Sequence, residues 1–243
     1  MIEMTEVFKY RGHECVLNNV TLRVEQGTQV GLIGPGGAGK SLLMKICAGL
    51  VRPEGGSVRI DGLEVVGTGD VELAAIRSKI GMLFQNYALF DFMTVEENIG
   101  FPLRQLGGRS DDEIRDEVNR LLLAVDLPNT QRLFPNELSG GMKKRVTFAR
   151  AVIANPPILF YDDPTAGLDP VTSGKIFALL DERRARGGTT SIVVSHDILG
   201  MRDICDRFVL MNHGRIVFSG TREEIENSTR PFVGQFWRGE ADD

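Results

Sequence analysis

The sequence predicts an α/β fold with a mostly parallel core sheet. Short apolar, β-branched runs at 29–33, 158–161 and 190–194 have the length and evenness of strands buried on both faces. Helix-like stretches alternate with them, which favours parallel strands joined by crossovers. A glycine-rich stretch, Gly34-Pro-Gly-Gly-Ala-Gly39-Lys40-Ser41, joins one of these runs to a helix start.

Taken in order, residues 4–10, 20–24 and 29–33 read as strands, with Gln26-Gly27 as a turn signal. After the glycine-rich loop, 42–48 reads as a helix. Residues 57–60 form a strand closed by Asp61-Gly62, and 80–84 form another. From about 90 to 155 the pattern turns helical. Ser110 to Glu113 has the form of a capping box, and Ile114, Val118, Leu121, Leu122 and Val125 share one helical face. Ser139 with two glycines opens a helix over 142–154. Strands resume at 158–161, and Asp169-Pro170 supplies a cap and a first-turn proline for a helix reaching about Arg186. After the strand at 190–194, residues 208–211 and 215–219 flank His213-Gly214 as a hairpin. The tail from Thr221 carries a short helix and a polar stub.

A chain of 243 residues supports one sizeable core, or one large domain carrying a smaller subdomain. With 42% hydrophobic and 25% charged residues it has an ordinary globular composition. A net charge of −5 provides no global positive field for nucleic acid, and none is expected as a partner. The basic groups Lys143-Lys144-Arg145 and Arg183-Arg184 with Arg186 read for the most part as solvated helix faces. Cys15, Cys47 and Cys205 are odd in number, widely spaced and set among apolar residues, so they read as buried thiols. The N-terminus lacks the basic-then-apolar order of a signal peptide, and no window has the apolar length to span a bilayer.

The loop at 34–41 fits G-x-x-x-x-G-K-[ST], a pattern expected by chance roughly once in a hundred chains of this length, so with its flanking strand and helix it outweighs a plain turn. Its glycines allow the backbone to fold around a polyphosphate, and the helix N-terminus favours negative charge there. Lys40 reaches toward the β and γ phosphates, and Ser41 toward Mg²⁺. That cradle alone leaves kinases, GTPases and many ATPases open. Downstream, Asp162 ends an apolar strand and suits a second Mg²⁺ partner, and the adjacent Asp163 makes a pair of carboxylates that is costly unless a cation or a reaction uses it. Leu138-Ser139-Gly140-Gly141-Met142 then sets a second helix N-terminus ready for an anion.

With these motifs in this order the chain resembles the ATP-binding subunits of ABC transporters over nearly its whole length. The resemblance makes 34–41 the Walker A loop, with the ATP contacts extending from Gly34, Pro35, Gly36, Gly37, Ala38, Gly39, Lys40 and Ser41 to Leu42. It makes Gln85 the Q-loop glutamine, also directed at Mg²⁺, and 138–142 the signature. Asp162 becomes the Walker B aspartate, Asp169 the D-loop residue, His196 the switch histidine and Tyr10 the aromatic that stacks on adenine. The fold implied is a P-loop ABC ATPase domain over 1–243. It has an N-terminal antiparallel β subdomain, an inserted helical subdomain at about 90–155 and a C-terminal tail at 221–243. Two copies are expected to close head to tail around ATP, with Ser139, Gly140 and Gly141 of one meeting the γ-phosphate held by Lys40 of the other.

Most relatives carry Glu where this chain has Asp163, one methylene shorter and so withdrawn by about 1 Å. Asp163 is expected to serve as base or water-positioner with slowed turnover. Met142 stands where many relatives have Gln. Together with the segments at 84–95 and 232–242, it resembles the phospholipid-transport branch that works with mammalian-cell-entry-type proteins. That resemblance implies an integral-membrane permease and a lipid-binding protein as partners, with a small regulatory subunit, at the cytoplasmic face of the inner membrane. Phe90, Phe92 and Phe101 fall where the family has the groove for a permease helix. An importer ATPase of amino-acid or metal type is the alternative, and a soluble ABC protein acting on ribosomes or DNA the more distant one.

Overall fold

The structure, a computed structural model, describes residues 1–240. The chain begins with β1 (Ile2–Arg11) and β2 (Glu14–Val24), then β3 (Gln29–Ile33), α1 (Lys40–Cys47), β4 (Gly55–Ile60), β5 (Leu63–Glu64), α2 (Asp70–Arg77) and β6 (Ile80–Leu83). A helical stretch follows, with α3 (Val95–Leu106), α4 (Asp111–Ala124) and α5 (Gly140–Val152). The remainder is β7 (Ile158–Asp162), α6 (Pro170–Ala185), β8 (Thr190–Val194), α7 (Ile198–Met201), β9 (Arg207–Asn212), β10 (Arg215–Gly220), α8 (Arg222–Glu226) and α9 (Pro231–Arg238).

The larger sheet has the order β10-β9-β3-β8-β7-β6. Every pairing from β9 to β6 is parallel, and β10 closes the edge as an antiparallel hairpin. The smaller sheet, β2-β1-β4-β5, is antiparallel throughout. Side-chain alternation divides the core between the two faces of the large sheet. Leu32, Phe160 and Ile192 face the small sheet and α1, packing with Met4, Leu17, Leu43 and Val58. Ile33, Leu159, Tyr161 and Val193 face the other way, with Ile99, Val118, Ile176 and Trp237. Burial on both faces explains why β3, β7 and β8 read as unbroken apolar runs.

The helix starts at Ser110 and Asp169 fall where the sequence signals them, and α3 has a cap of the same kind. Thr94 with Glu97 and Ser110 with Glu113 form reciprocal capping boxes at α3 and α4, and Asp169 caps α6 ahead of Pro170. Three expectations need correction. β2 starts at Glu14 rather than at residue 20, because its polar first half pairs with β1 through a series of register shifts that blur the alternation. α5 starts at Gly140 rather than Met142, directly after the Ser139 cap. Cys15 is half-buried, because it pairs with Tyr10 next to the exposed turn of the β1–β2 hairpin; Cys47 and Cys205 are buried as expected. The polar stub after α9 lies in part outside the described residues. No helix among those residues is long and apolar enough to cross a membrane.

Candidate active site

The loop after β3 owes its path to glycine. At Gly34 the backbone adopts φ +147°, and a Cβ there would sit 2.2 Å from the Met211 carbonyl oxygen on β9. At Gly39 φ is +97°, and a Cβ would meet the Leu17 side chain at 2.6 Å. Any side chain at either position would push the loop off the sheet. α1 then begins at Lys40 with no side-chain cap and no acidic residue in its first turn, so its N–H groups suit an anion. The Lys40 ammonium donates to the carbonyls of Gly34 and Pro35 at 2.7 Å each. Burial pushes its pKa below the usual lysine value, against the opposing pull of Asp163 and Asp162.

Ser41 Oγ donates to Asp162 Oδ1 at 2.6 Å, joining the start of α1 to the end of β7. Desolvation pushes the Asp162 carboxyl above its ordinary value, with the Ser41 hydrogen bond acting in the opposite sense. Next in the chain, buried Asp163 has a left-handed backbone, φ 50°, and its N–H donates to the Val194 carbonyl at 2.9 Å. A hydroxyl beside a buried carboxylate is a hard oxygen pair of the kind Mg²⁺ takes. No cluster of three or more His, Cys, Asp or Glu among the described residues forms a cage of its own. The donor set therefore fits a cation that brings water and phosphate oxygens as its other ligands.

One face of α5 grips the segment after β6. Lys144 Nζ donates to the Gln85 carbonyl at 2.7 Å and to the Asp163 carbonyl at 3.0 Å. Thr147 Oγ1 donates to the Tyr87 carbonyl, and the Arg150 guanidinium to the carbonyls of Tyr87 and Ala88. Tyr87 and Ala88 both have left-handed φ, so this grip holds a strained turn. Lys144 is 0% exposed, which overturns its reading as part of a solvated face. A signal for this was present: Phe148 and Ala151, also buried, lie one and two turns along the same stripe. Arg184 and Arg186 do lie at the surface, paired with Asp181 and Glu182.

His196 is exposed and borders a cavity of about 200 Å³ shared with Gly34, Gly36 and Phe236, so it stands beside the loop. That α9 brings Phe236 there had no sequence signal. Gln85 and Tyr10 are exposed, Tyr10 at 44%. Ser139 accepts from the Met142 N–H at 3.3 Å, and Asp169 accepts from the N–H groups of Val171 and Thr172. A Cβ on Gly141 would lie 2.9 Å from Thr172, so the starts of α5 and α6 are neighbours. No hydrogen bond among the described residues links Ser139 or Gly141 to the 34–41 loop of the same chain. The structure thus brings loop 34–41, Asp162, Asp163 and His196 together, and gathers Ser139, Gly140, Gly141 and Asp169 at the adjoining starts of α5 and α6.

Known proteins share this architecture. The profile of the ABC transporter family matches residues 17–166. The methionine import ATP-binding protein MetN of Carboxydothermus hydrogenoformans is 41% identical over 90% of this chain, which spans only 65% of that protein's length. The intermembrane phospholipid transport system ATP-binding protein MlaF of Haemophilus influenzae is 35% identical over 100% of this chain and 92% of its own. Among solved structures, the dimeric post-hydrolysis state of an ATP-binding cassette bound to ADP and Pi superposes with a TM-score of 0.86 at 35% identity, covering 91% of this chain and 99% of that one. The chain belongs to the ABC transporter family and is one of its ATP-binding ATPase chains.

Proposed function

We propose that two copies of this chain enclose ATP between them and that closing and reopening the pair drives a separate membrane permease carrying phospholipid. The observation that carries the catalytic part is the Ser41–Asp162 hydrogen bond beneath a glycine loop whose lysine and neighbouring Asp163 point to the same place. In this reading Tyr10 stacks on adenine, and the backbone N–H groups from Gly34 to Leu42 hold the phosphates. Lys40 leaves its carbonyl partners for the β and γ phosphate oxygens, where a cation is worth most. Ser41 and Asp162, with the Gln85 side chain, hold Mg²⁺, which supplies charge neutralisation across those phosphates.

Asp163 orients the attacking water and accepts its proton, and His196 contacts the γ-phosphate from the side of β8. Ser139, Gly140 and Gly141 of the second copy complete the site with a helix N-terminus, and Asp169 lies on the same closing surface. Only the triphosphate spans both surfaces, so hydrolysis favours reopening. The adjoining starts of α5 and α6, which join Ser139 and Gly141 to Asp169, support this division between two copies, as does the dimeric state of the similar cassette.

A cavity of about 730 Å³ lined by Phe84, Ala88, Phe90, Phe101 and Arg150 lies beside the segment gripped by α5. It suits an apolar segment of the permease. Phospholipid is favoured as cargo because relatives matched over the whole of this chain and about nine tenths of their own length carry that function in their names. A mammalian-cell-entry-type lipid-binding protein and a small regulatory subunit complete the expected assembly at the cytoplasmic face of the inner membrane. Purifying the native complex from membranes with lipid analysis tests the cargo. Bound phospholipid with a permease supports it, and a permease that brings methionine or another small solute instead of lipid overturns it.

A further inference from the structure

We infer that Lys144 is a positioning residue for hydrolysis: it fixes Gln85 and Asp163 of its own chain relative to each other from the helix whose first turn faces the second copy. This rests on the reading of Asp163 as the residue that orients the attacking water. The ammonium is fully buried and forms no ion pair among the described residues; its partners are the backbone carbonyls of Gln85 and Asp163. A lysine buried in that way is costly, and a well-packed apolar side chain would generally serve stability as well or better. Its placement therefore points to geometry.

Asp163 shows what that geometry is. Its left-handed backbone is a strained one for a non-glycine residue and must be held from outside. The Val194 carbonyl holds its N–H, and Lys144 holds its C=O, so the peptide flanking the carboxylate is pinned on both sides. The same ammonium holds the Gln85 carbonyl, and it lies over the Tyr87 ring at 5.1 Å from the centroid. Thr147 and Arg150 also grip the 87–88 turn, but of the three donors only Lys144 also reaches Asp163, the residue after β7. Ser139 caps the same helix about 7 Å along the axis from Lys144. A shift of α5 on engaging the second copy's nucleotide is thereby passed to Asp163 in its own site.

The test is steady-state hydrolysis by the full-length chain carrying Lys144→Met, Lys144→Gln or Lys144→Arg, with ATP-driven dimerisation followed in parallel. The expected result for Lys144→Met is a kcat lowered about tenfold or more, a KM for ATP within about threefold of wild type, and a retained ATP-driven dimer. Lys144→Gln, shorter and with two amide donors in place of the ammonium's three, is expected between Met and wild type, and Lys144→Arg to recover most of the rate. A flat kcat across the folded variants overturns the inference, and so does a loss of rate that follows loss of the dimer, since that assigns Lys144 to the α5 surface alone. If Asp163→Asn leaves kcat unchanged, the underlying reading of Asp163 fails, a result distinguishable from a flat Lys144 series.

Discussion

Ser41 donates its hydroxyl to the Asp162 carboxylate at 2.6 Å across a sequence separation of 121 residues. The contact brings the start of α1 against the end of β7 at one edge of the glycine loop, and it defines where Mg²⁺ is proposed to sit. Removing the hydroxyl takes one oxygen ligand from the proposed cation. In Ser41→Ala the Mg²⁺ concentration needed for half-maximal hydrolysis is expected to rise about tenfold or more, as read from a MgCl₂ titration of the ATPase rate. An unchanged midpoint removes Ser41 from the metal's ligands.

Lys40 is held in a desolvated pocket by two carbonyls of its own loop, an arrangement that serves an incoming phosphate better than it serves the fold. Lys40→Met is expected to lower hydrolysis by about a hundredfold or more. Its melting temperature should equal or exceed that of wild type, because a buried ammonium is replaced by an apolar chain of similar length. A large loss of stability would make Lys40 a structural residue.

Buried Asn98 ties the start of α3 to the preceding loop. Its Oδ1 accepts from the Phe90 N–H at 2.9 Å, and its Nδ2 donates to the carbonyls of Phe90, Met93 and Thr94 at 3.0 Å each. Asn98→Ala leaves the Phe90 N–H and the Met93 carbonyl without partners, while the carbonyls of Phe90 and Thr94 keep the N–H groups of Met93 and residue 98, and it is expected to cost about 2 kcal/mol or more in a urea titration. A change within about 0.5 kcal/mol would mean that water replaces the side chain.

Burial pushes the Cys47 thiol up to about 12, and Cys205 further still, so neither forms thiolate in the folded chain below pH 10 or thereabouts. Cys15 is the one with an exposed face. A thiol-exchange reagent is expected to modify one cysteine rapidly in the native chain and all three after denaturation. Because a raised thiol pKa keeps the group protonated until pH passes it, moving from pH 7 to pH 9 should not recruit Cys47. Rapid reaction at a second thiol would contradict its burial.

The parallel sheet was legible wherever a strand is buried on both faces, as in β3, β7 and β8, because such strands leave no polar position to mislead. The helix starts at Ser110 and Asp169 were legible because a cap is a local bargain between one side chain and the nearest N–H groups. The strand order was not. β3 lies between β8 and β9, segments from the far end of the chain, and no local pattern encodes that neighbour choice. Within the site, Gly34, Lys40, Ser41, Asp162 and Asp163 announced themselves by motif. Lys144 did not: its spacing to Phe148 and Ala151 marks a buried stripe, but among basic neighbours it reads as solvated, and its carbonyl partners lie 59 and 19 residues away. Phe236 escaped for the same reason: its place beside Gly34 depends on how α9 packs.

The proposed site is shared between two copies, with loop 34–41 of one meeting Ser139 of the other. Sedimentation of the Asp163→Asn chain with and without Mg·ATP tests it most directly, because slowed hydrolysis holds the triphosphate state. A monomer of 26.8 kDa is expected without nucleotide, a species of twice that mass with Mg·ATP, and a return to monomer when Ser139→Arg is added. A chain that stays monomeric with ATP bound, or a dimer indifferent to Ser139→Arg, would contradict it.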